Sequence, residues 1–565
     1  MARSHKPRIV AGLLVGALLT APLIAVLYAA WGLIGLPFVP YDMFDWMARV
    51  LPGRMITSGI DMMVTVIRTL DIGPTSVVAK AAEHALAIGG LFITGVIAGG
   101  VLFGVLRMVD VRRADGVGFA LGAIFGIAGV LISLRVGQTA TTPPILSGVW
   151  ILGVFLLWGM AFAWAYRRLA IAGVAGASST ETPAMPASAA GSPAEQAAAE
   201  PVSPHYASVE RIDRRRFLIR LGGTTAVITV AGAGVGALSR SMRQSDVAPA
   251  GQRWSSMHPL PNAGASIKPV SGTRPEFTPL EQHYRIDINT APPMIREDQW
   301  RLKVEGLVEN PIAFSLEALR RYAPRHEFVT LACISNPIAG DLTSTTRWTG
   351  VSLQRLLPDL HLKPAATHLK IRSADGFYEI LALEVIRSEP RVMLTYAWDG
   401  VPLHVDHGFP LRIYIPDRYG MKQPKWIESI EAMDHSEPGY WVTRGWSREA
   451  LMRATSVIDA IAVDMMVITA DQRTLIPIGG IAHAGARGIS RVEVRVDDGP
   501  WQEASLRTPL SELTWIIWRY DWPFQSGEHT FTVRCYEGNG TPQITTRAPV
   551  RPDGATGLHS RNEMF

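Results

Sequence analysis

The chain has 565 residues, 48% of them hydrophobic, a formal net charge of +5 and only two cysteines, Cys333 and Cys535. The length sets an expectation of about three or four domains, and the two cysteines offer neither a zinc-ligand spacing nor a good case for a disulfide. No nucleic-acid partner is expected.

The first third reads as membrane. Apolar stretches at residues 9–31, 84–106, 117–134 and 146–165 each approach the ~20 residues of a spanning helix, and a fifth runs over 219–238. Lys6 and Arg8 precede the first stretch, and Arg107, Arg112 and Arg113 separate the second from the third. Arg167 and Arg168 follow the fourth, and Arg214, Arg215, Arg216 and Arg220 introduce the fifth. By the positive-inside rule all four clusters are cytoplasmic. Everything from about residue 240 onward is then periplasmic or extracellular, as is the segment 32–83, in which 43–70 mixes apolar and basic residues as an interfacial or surface helix does. His84 is the only histidine in these spans, which leaves no bis-histidine haem site, and no Cys-x-x-Cys-His exists for a c-type haem, so no haem is expected. The four-helix region 1–170 is read first as an anchor, then as a quinone-side contact or docking surface.

Residues 174–204 are mostly Ala, Pro, Ser, Gly, Thr and Glu with no aromatic side chain, so 171–212 reads as a flexible linker. The run Asp213-Arg214-Arg215-Arg216-Phe217-Leu218 then resembles the Arg-Arg-x-Phe-Leu core of a twin-arginine export signal, with Asp where Ser or Thr is usual. The competing reading is a basic stop before a helix. Segment 213–240 is taken as this signal and as a fifth transmembrane anchor.

From 275 to 454 short strands and short helices mix, the pattern of an α+β domain. Residues 315–322 read as a helix, 411–415 as a strand, and 369–371 with 378–380 as a hairpin turning at Asp375-Gly376. The apolar strand 327–332 ends at Cys333, where an Asn/Pro/Gly loop begins. A lone cysteine there is ordinarily a small buried hydrophobe; it is also a single thiolate for a soft metal. Its surroundings resemble the molybdenum-cofactor domain of the sulfite oxidase family. Cys333 is followed by Thr346-Arg347-Trp348-Thr349-Gly350. Tyr284-Arg285-Ile286-Asp287 lies upstream, and Asp406-His407-Gly408-Phe409-Pro410-Leu411-Arg412 and Gln423-Pro424-Lys425-Trp426 lie downstream. The likeness extends over roughly 275–550.

The resemblance implies a molybdenum–molybdopterin cofactor with Cys333 on the metal. Arg412 and Lys425 suit its phosphate, His407 and Asp375 its pterin edge, and Tyr284, Arg285, Asp287 and Gln423 complete the binding set. For an oxyanion substrate it implies Arg285 and Arg519 in the pocket, with Arg347 and Lys422 adding charge. Two departures point to a less charged substrate: Pro337 and Ile338 stand where animal sulfite oxidases carry Arg, and Trp446 stands where the family has a pocket Tyr.

From 458 onward the pattern is all strand. Val492, Val494 and Val496 alternate, as do Phe531, Val533 and Cys535, which predicts an antiparallel sandwich over 455–550 with Cys535 as a core thiol. This segment resembles the family's immunoglobulin-like dimerisation domain. The expectation for the whole chain is an exported, membrane-anchored molybdenum oxidoreductase performing two-electron oxygen-atom transfer. Sulfite oxidation leads, with sulfoxide or another oxo-transfer reduction, or a non-enzymatic anchored module, as alternatives. The expected partners are a small oxyanion or sulfur-oxide substrate, the membrane, a separate cytochrome or quinone-linked electron carrier, and a second copy as homodimer.

Overall fold

The computed structural model describes residues 7–109, 113–137, 140–177, 214–246 and 251–565. Most of the linker expected at 171–212, from residue 178 on, lies outside the described residues, as do Asp213 and the side chains of Arg214 and Arg215 in the twin-arginine-like run. The chain divides into two compact units, Met1–Trp46 with His84–Arg243, and Met47–Glu83 with Gln244–Phe565.

Seven helices open the described chain: α1 Ile9–Ile34, α2 Val39–Val50, α3 Gly53–Leu70, α4 Thr75–Leu106, α5 Ala114–Val136, α6 Pro144–Ala177 and α7 Arg214–Asp246. Five of them hold stretches long and apolar enough to cross a membrane: Ile9–Ile34, Thr75–Leu106, Ala114–Val136, Pro144–Ala170 and Arg216–Ser239. In the first unit small residues let these helices meet backbone to backbone. A Cβ added at Gly118 or Gly122 of α5 would stand 2.6 Å from the carbonyl oxygen of Gly159 or Phe155 on α6. At Gly16 of α1 it would stand 2.8 Å from that of Gly95 on α4.

The interfacial segment expected near 43–70 is a pair of helices, α2 and α3, bent by 120° at the break between them. Residues 47–83, placed from the sequence with the transmembrane region 1–170, group instead with Gln244–Phe565. The reason lies in polar contacts that hydropathy does not report: Asp61 pairs with Arg551 at 2.9 Å, and the Thr75 N–H donates to Asp341 at 2.7 Å.

Two five-stranded sheets build residues 302–433 of the second unit. One runs in the order Ile312–Phe314, Leu302–Gly306, Ile427–Met433, His368–Ser373, Tyr378–Ala382, with a single parallel pairing, between Leu302–Gly306 and Ile427–Met433. The last two strands are the predicted hairpin, and Gly376 takes the positive φ of +83° that its turn requires. The other sheet is antiparallel: Arg325–Ala332, Thr343–Ser352, Met393–Trp398 and Val401–Pro402, with Arg412–Tyr414 also on Met393–Trp398. Their apolar faces meet in a core that includes Leu302, Leu369, Ile371, Leu394, Ile413 and Ile430. The helix expected at 315–322 is the shorter Leu316–Arg320, capped by Ser315, whose Oγ accepts from the Ala318 N–H.

The C-terminal region is two antiparallel sheets facing across one core. Thr455–Ile461, Thr474–His483, Ile516–Pro523 and Ser505–Leu506 form the first, with Val467–Ile468 added to Thr474–His483. Gln502–Glu503, Ile489–Val496, Glu528–Glu537 and His559–Met564 form the second. Val492 lies opposite Cys535 and Val494 opposite Val533, as the period-two alternation requires, and all four are fully buried.

Candidate active site

Strand Arg325–Ala332 delivers Cys333 to the floor of a cavity of roughly 150 Å³ within the second unit. The loop after it is held rigid from inside. The Cys333 N–H donates to Leu342 O at 2.9 Å, the Asn336 N–H donates back to Cys333 O at 3.0 Å, and Asn336 Oδ1 accepts from the Leu342 N–H at 3.0 Å. Burial pushes the Cys333 thiol up, while Ser335 Oγ, 3.0 Å from Sγ, pulls it back. Ala332 and Ile334, which flank it, pack with Met421 and Trp446, and Trp441 leans on that cluster. The wall beside the thiol is therefore apolar.

The opposite end is cationic and carefully balanced. Arg285 donates to Asp287 Oδ2 and Asp406 Oδ1, each at 2.7 Å. Lys425 Nζ lies 3.4 Å from Asp287 Oδ2 and 3.2 Å from Asp406 O, and 4.3 Å above the Trp426 ring. Asp287 is deeply buried, but Arg285, Lys80 and Lys425 outweigh burial and hold its carboxyl well below the usual range. Burial lowers Lys425 to about 8 and Arg412 to about 10. Arg412 stacks 4.7 Å over Trp348 and donates to His407 O at 3.2 Å.

Between the two ends sit His407, Asp375, Gln423 and Tyr284. Burial and the nearby His283 and Lys425 hold His407 well below its ordinary value, so it is neutral, and burial holds His283 at about 3. Asp375 Oδ1 accepts from the Phe377 N–H at 2.9 Å, and burial raises its carboxyl to about 7. Gln423 is anchored by Nε2 donating to Arg418 O at 2.9 Å. The Tyr284 N–H donates to Ser344 Oγ at 3.0 Å, and burial pushes its phenol up.

The cavity thus collects Tyr284, Arg285, Asp287, Cys333, Asp375, His407, Arg412, Gln423, Lys425 and Trp446. It does not collect Arg347, Lys422 or Arg519. Side chains alternate along a strand. Trp348 faces Arg412, so Arg347 projects to the other face, where it lies 5.0 Å over Trp254. Trp518 fills the sandwich core, so Arg519 points away from it and pairs with Asp521 two residues on, at 2.9 Å. Lys422 is held by Glu379 at 2.7 Å. Among the lining residues that escaped the sequence reading are His283, whose adjacency to Tyr284-Arg285 was its only signal, Trp441, and Lys80, which lies far upstream.

A family model described as oxidoreductase molybdopterin binding domain matches residues 289–441. The uncharacterized oxidoreductase YuiH of Bacillus subtilis is 30% identical over 149 residues, 26% of this chain and 72% of that protein. Human mitochondrial sulfite oxidase is 26% identical over 305 residues, 46% of this chain and 56% of that one. The chain belongs to the sulfite oxidase family of molybdopterin-dependent oxidoreductases. An inducible NADH nitrate reductase of Glycine max is 26% identical over 301 residues, and the match spans only 34% of that enzyme. Among solved structures, the sulfane dehydrogenase SoxCD of Paracoccus pantotrophus aligns over 57% of this chain and 89% of its own, at 20% identity and a TM-score of 0.46.

The residues present fit a molybdopterin group on grounds of this family member's own structure. Four buried polar atoms of lining residues, His283 Nε2, Arg285 Nη2, Gln423 Oε1 and Trp446 Nε1, have no hydrogen-bond partner among the described residues. Such atoms are costly unless a polar ligand meets them. Among the described residues no group of three or more His, Cys, Asp or Glu side chains could hold a metal ion, so a metal beside Cys333 requires ligands carried by the cofactor.

Proposed function

We propose that this oxidoreductase transfers one oxygen atom and two electrons per turnover, with Cys333 as the protein's thiolate on molybdenum. The observation that carries the reading is the single cavity in which Cys333, an apolar wall and a buried cation cluster face one another. When bound, the molybdenum–pterin group supplies the two-electron chemistry. Arg412, Lys425 and Arg285 hold its phosphate by charge-assisted hydrogen bonds. Neutral His407, with Asp375 and Gln423, orients the pterin, and Met421, Trp441 and Trp446 keep water from the thiolate side.

Relatives named sulfite oxidase and nitrate reductase act on small oxyanions. In this chain the added cations expected for an oxyanion, Arg347, Lys422 and Arg519, are engaged elsewhere, and Arg285 is shared by two carboxylates. An uncharged oxygen-atom donor or acceptor, such as a sulfoxide, suits this cavity better than sulfite. The apolar helices anchor the enzyme, with residues 275–454 and 455–550 as cofactor and immunoglobulin-like dimerisation domains on the periplasmic or extracellular side. A separate cytochrome or quinone-linked carrier exchanges the electrons.

Purified protein containing molybdenum should reduce uncharged sulfoxides with an artificial reductant, and Arg519→Ala should leave kcat/KM within about twofold of wild type. Sulfite-dependent reduction of an acceptor that collapses in Arg519→Ala would overturn the substrate reading and leave the cofactor reading intact.

A further inference from the structure

One wall of the cavity comes from far upstream. Ile60, Met63 and Val64 of α3 and Thr75, Ser76 and Ala79 at the start of α4 line it together with Lys80 and Glu83. Lys80 Nζ reaches Asp287 Oδ1 at 2.9 Å and Asn289 O at 3.0 Å across 207 and 209 positions of chain, while Glu83 holds its third side at 2.6 Å. Asp287 is therefore a shared node: Oδ1 faces Lys80, and Oδ2 faces Arg285 and Lys425. At the thiol end the Thr75 N–H donates to Asp341 Oδ2, in the loop that follows Cys333. Arg49 adds bonds to Asn289 Oδ1 at 3.1 Å and Asp375 O at 2.9 Å. Arg551, stacked 5.0 Å over Trp446, pairs with Asp61 on α3.

We propose that residues 47–83 are a detachable roof that seals the cofactor in, and that Lys80 is the positioning residue that latches it. This rests on the reading that the cavity holds the pterin group. The polar fastenings are ion pairs and single hydrogen bonds, beside apolar packing and with no strand pairing, so the roof lifts without breaking either sheet. A group enclosed beneath it cannot enter or leave while the roof is latched, so loading precedes closure. Lys80 joins the roof to the same carboxylate that positions Arg285 and Lys425, which ties closure to the arrangement of the cation cluster.

The test uses the full-length, detergent-purified holoprotein and three variants: Lys80→Met, Lys80→Arg and Asp341→Ala. Pterin release after dilution is followed by fluorescence, and roof opening by tryptic cleavage after the exposed Arg68. Lys80→Met should release pterin on the order of tenfold faster, since Glu83 then loses its cation and Asp287 one of three, and should be cut earlier at Arg68. Lys80→Arg should restore both. Asp341→Ala lies outside the cation cluster and should shift both readouts in the same direction, which keeps the proposal exposed if Lys80→Met fails to accumulate. Pterin retention and cleavage equal to wild type in the loaded variants overturn the roof alone. Wild-type protein without molybdenum or pterin, made in a host that synthesises the cofactor, overturns the cofactor reading beneath it.

Discussion

Cys333 and Cys535 are both buried free thiols, and burial raises both, Cys535 to about 12. They differ in what faces them. Cys535 Sγ donates to Gln543 Oε1 at 3.2 Å inside a closed sandwich core, whereas Cys333 opens on a cavity with unpartnered polar atoms. Cys333→Ser should therefore abolish activity and the metal's thiolate signature while leaving the fold, checked by circular dichroism and molybdenum spectroscopy. Cys535→Ala should keep kcat and cost about 1–2 kcal/mol in a denaturation measurement. The buried histidines set a pH dependence. His283 at about 3, His483 at about 4 and the lowered His407 all bind protons more weakly folded than unfolded. Their contribution is complete above the unfolded value of about 6.5 and is lost as pH falls below it, by up to about 1.4 kcal/mol per pH unit for each. The carboxyls that burial raises, Asp375 to about 7 together with Glu379, Asp417 and Glu428, work the other way over part of that range, so the histidine contribution is read as the difference between wild type and a histidine variant. The histidine contribution to the unfolding free energy of the metal-free protein should be lost from about pH 6.5 toward about pH 4. His483→Gln should make that loss smaller; an unchanged loss would show that His483 is not among the groups responsible.

At the scale of elements, periodicity found what it can find. The alternation at 492–496 and 531–535 placed the paired strands correctly because one face of each is packed. The Asp375-Gly376 turn was legible because only a glycine accepts its φ cheaply. Which face a side chain takes was not legible for Arg347 or Arg519, since that depends on which neighbour in the strand fills the core. The glycine ladder of α5 was also invisible to hydropathy, which scores apolarity and not close approach. Gly122→Leu should overpack the α5–α6 contact, where a Cβ already meets the Phe155 carbonyl at 2.6 Å, and cost about 1–3 kcal/mol by thermal unfolding in detergent. An equal substitution at Gly153, where a Cβ meets nothing within 4 Å, should cost far less.

For the whole molecule, the arginine clusters demand one topology. A reporter fused after residue 170 should report cytoplasm, and one fused after residue 245 should report the outside; the reverse pattern would contradict the proposed side of the catalytic unit. The amino-acid sequence by itself determined the five apolar helices, the sandwich strands, the family, and ten of the residues that line the cavity, because apolar runs, alternation and motif spacing are local properties of a chain. Only the tertiary structure decided that residues 47–83 belong with the cofactor region and that Lys80 meets Asp287. It also decided that Arg347, Lys422 and Arg519 do not line the cavity. Those outcomes turn on ion pairs between residues hundreds of positions apart and on which neighbour claims the core, and neither leaves a periodic trace in the chain.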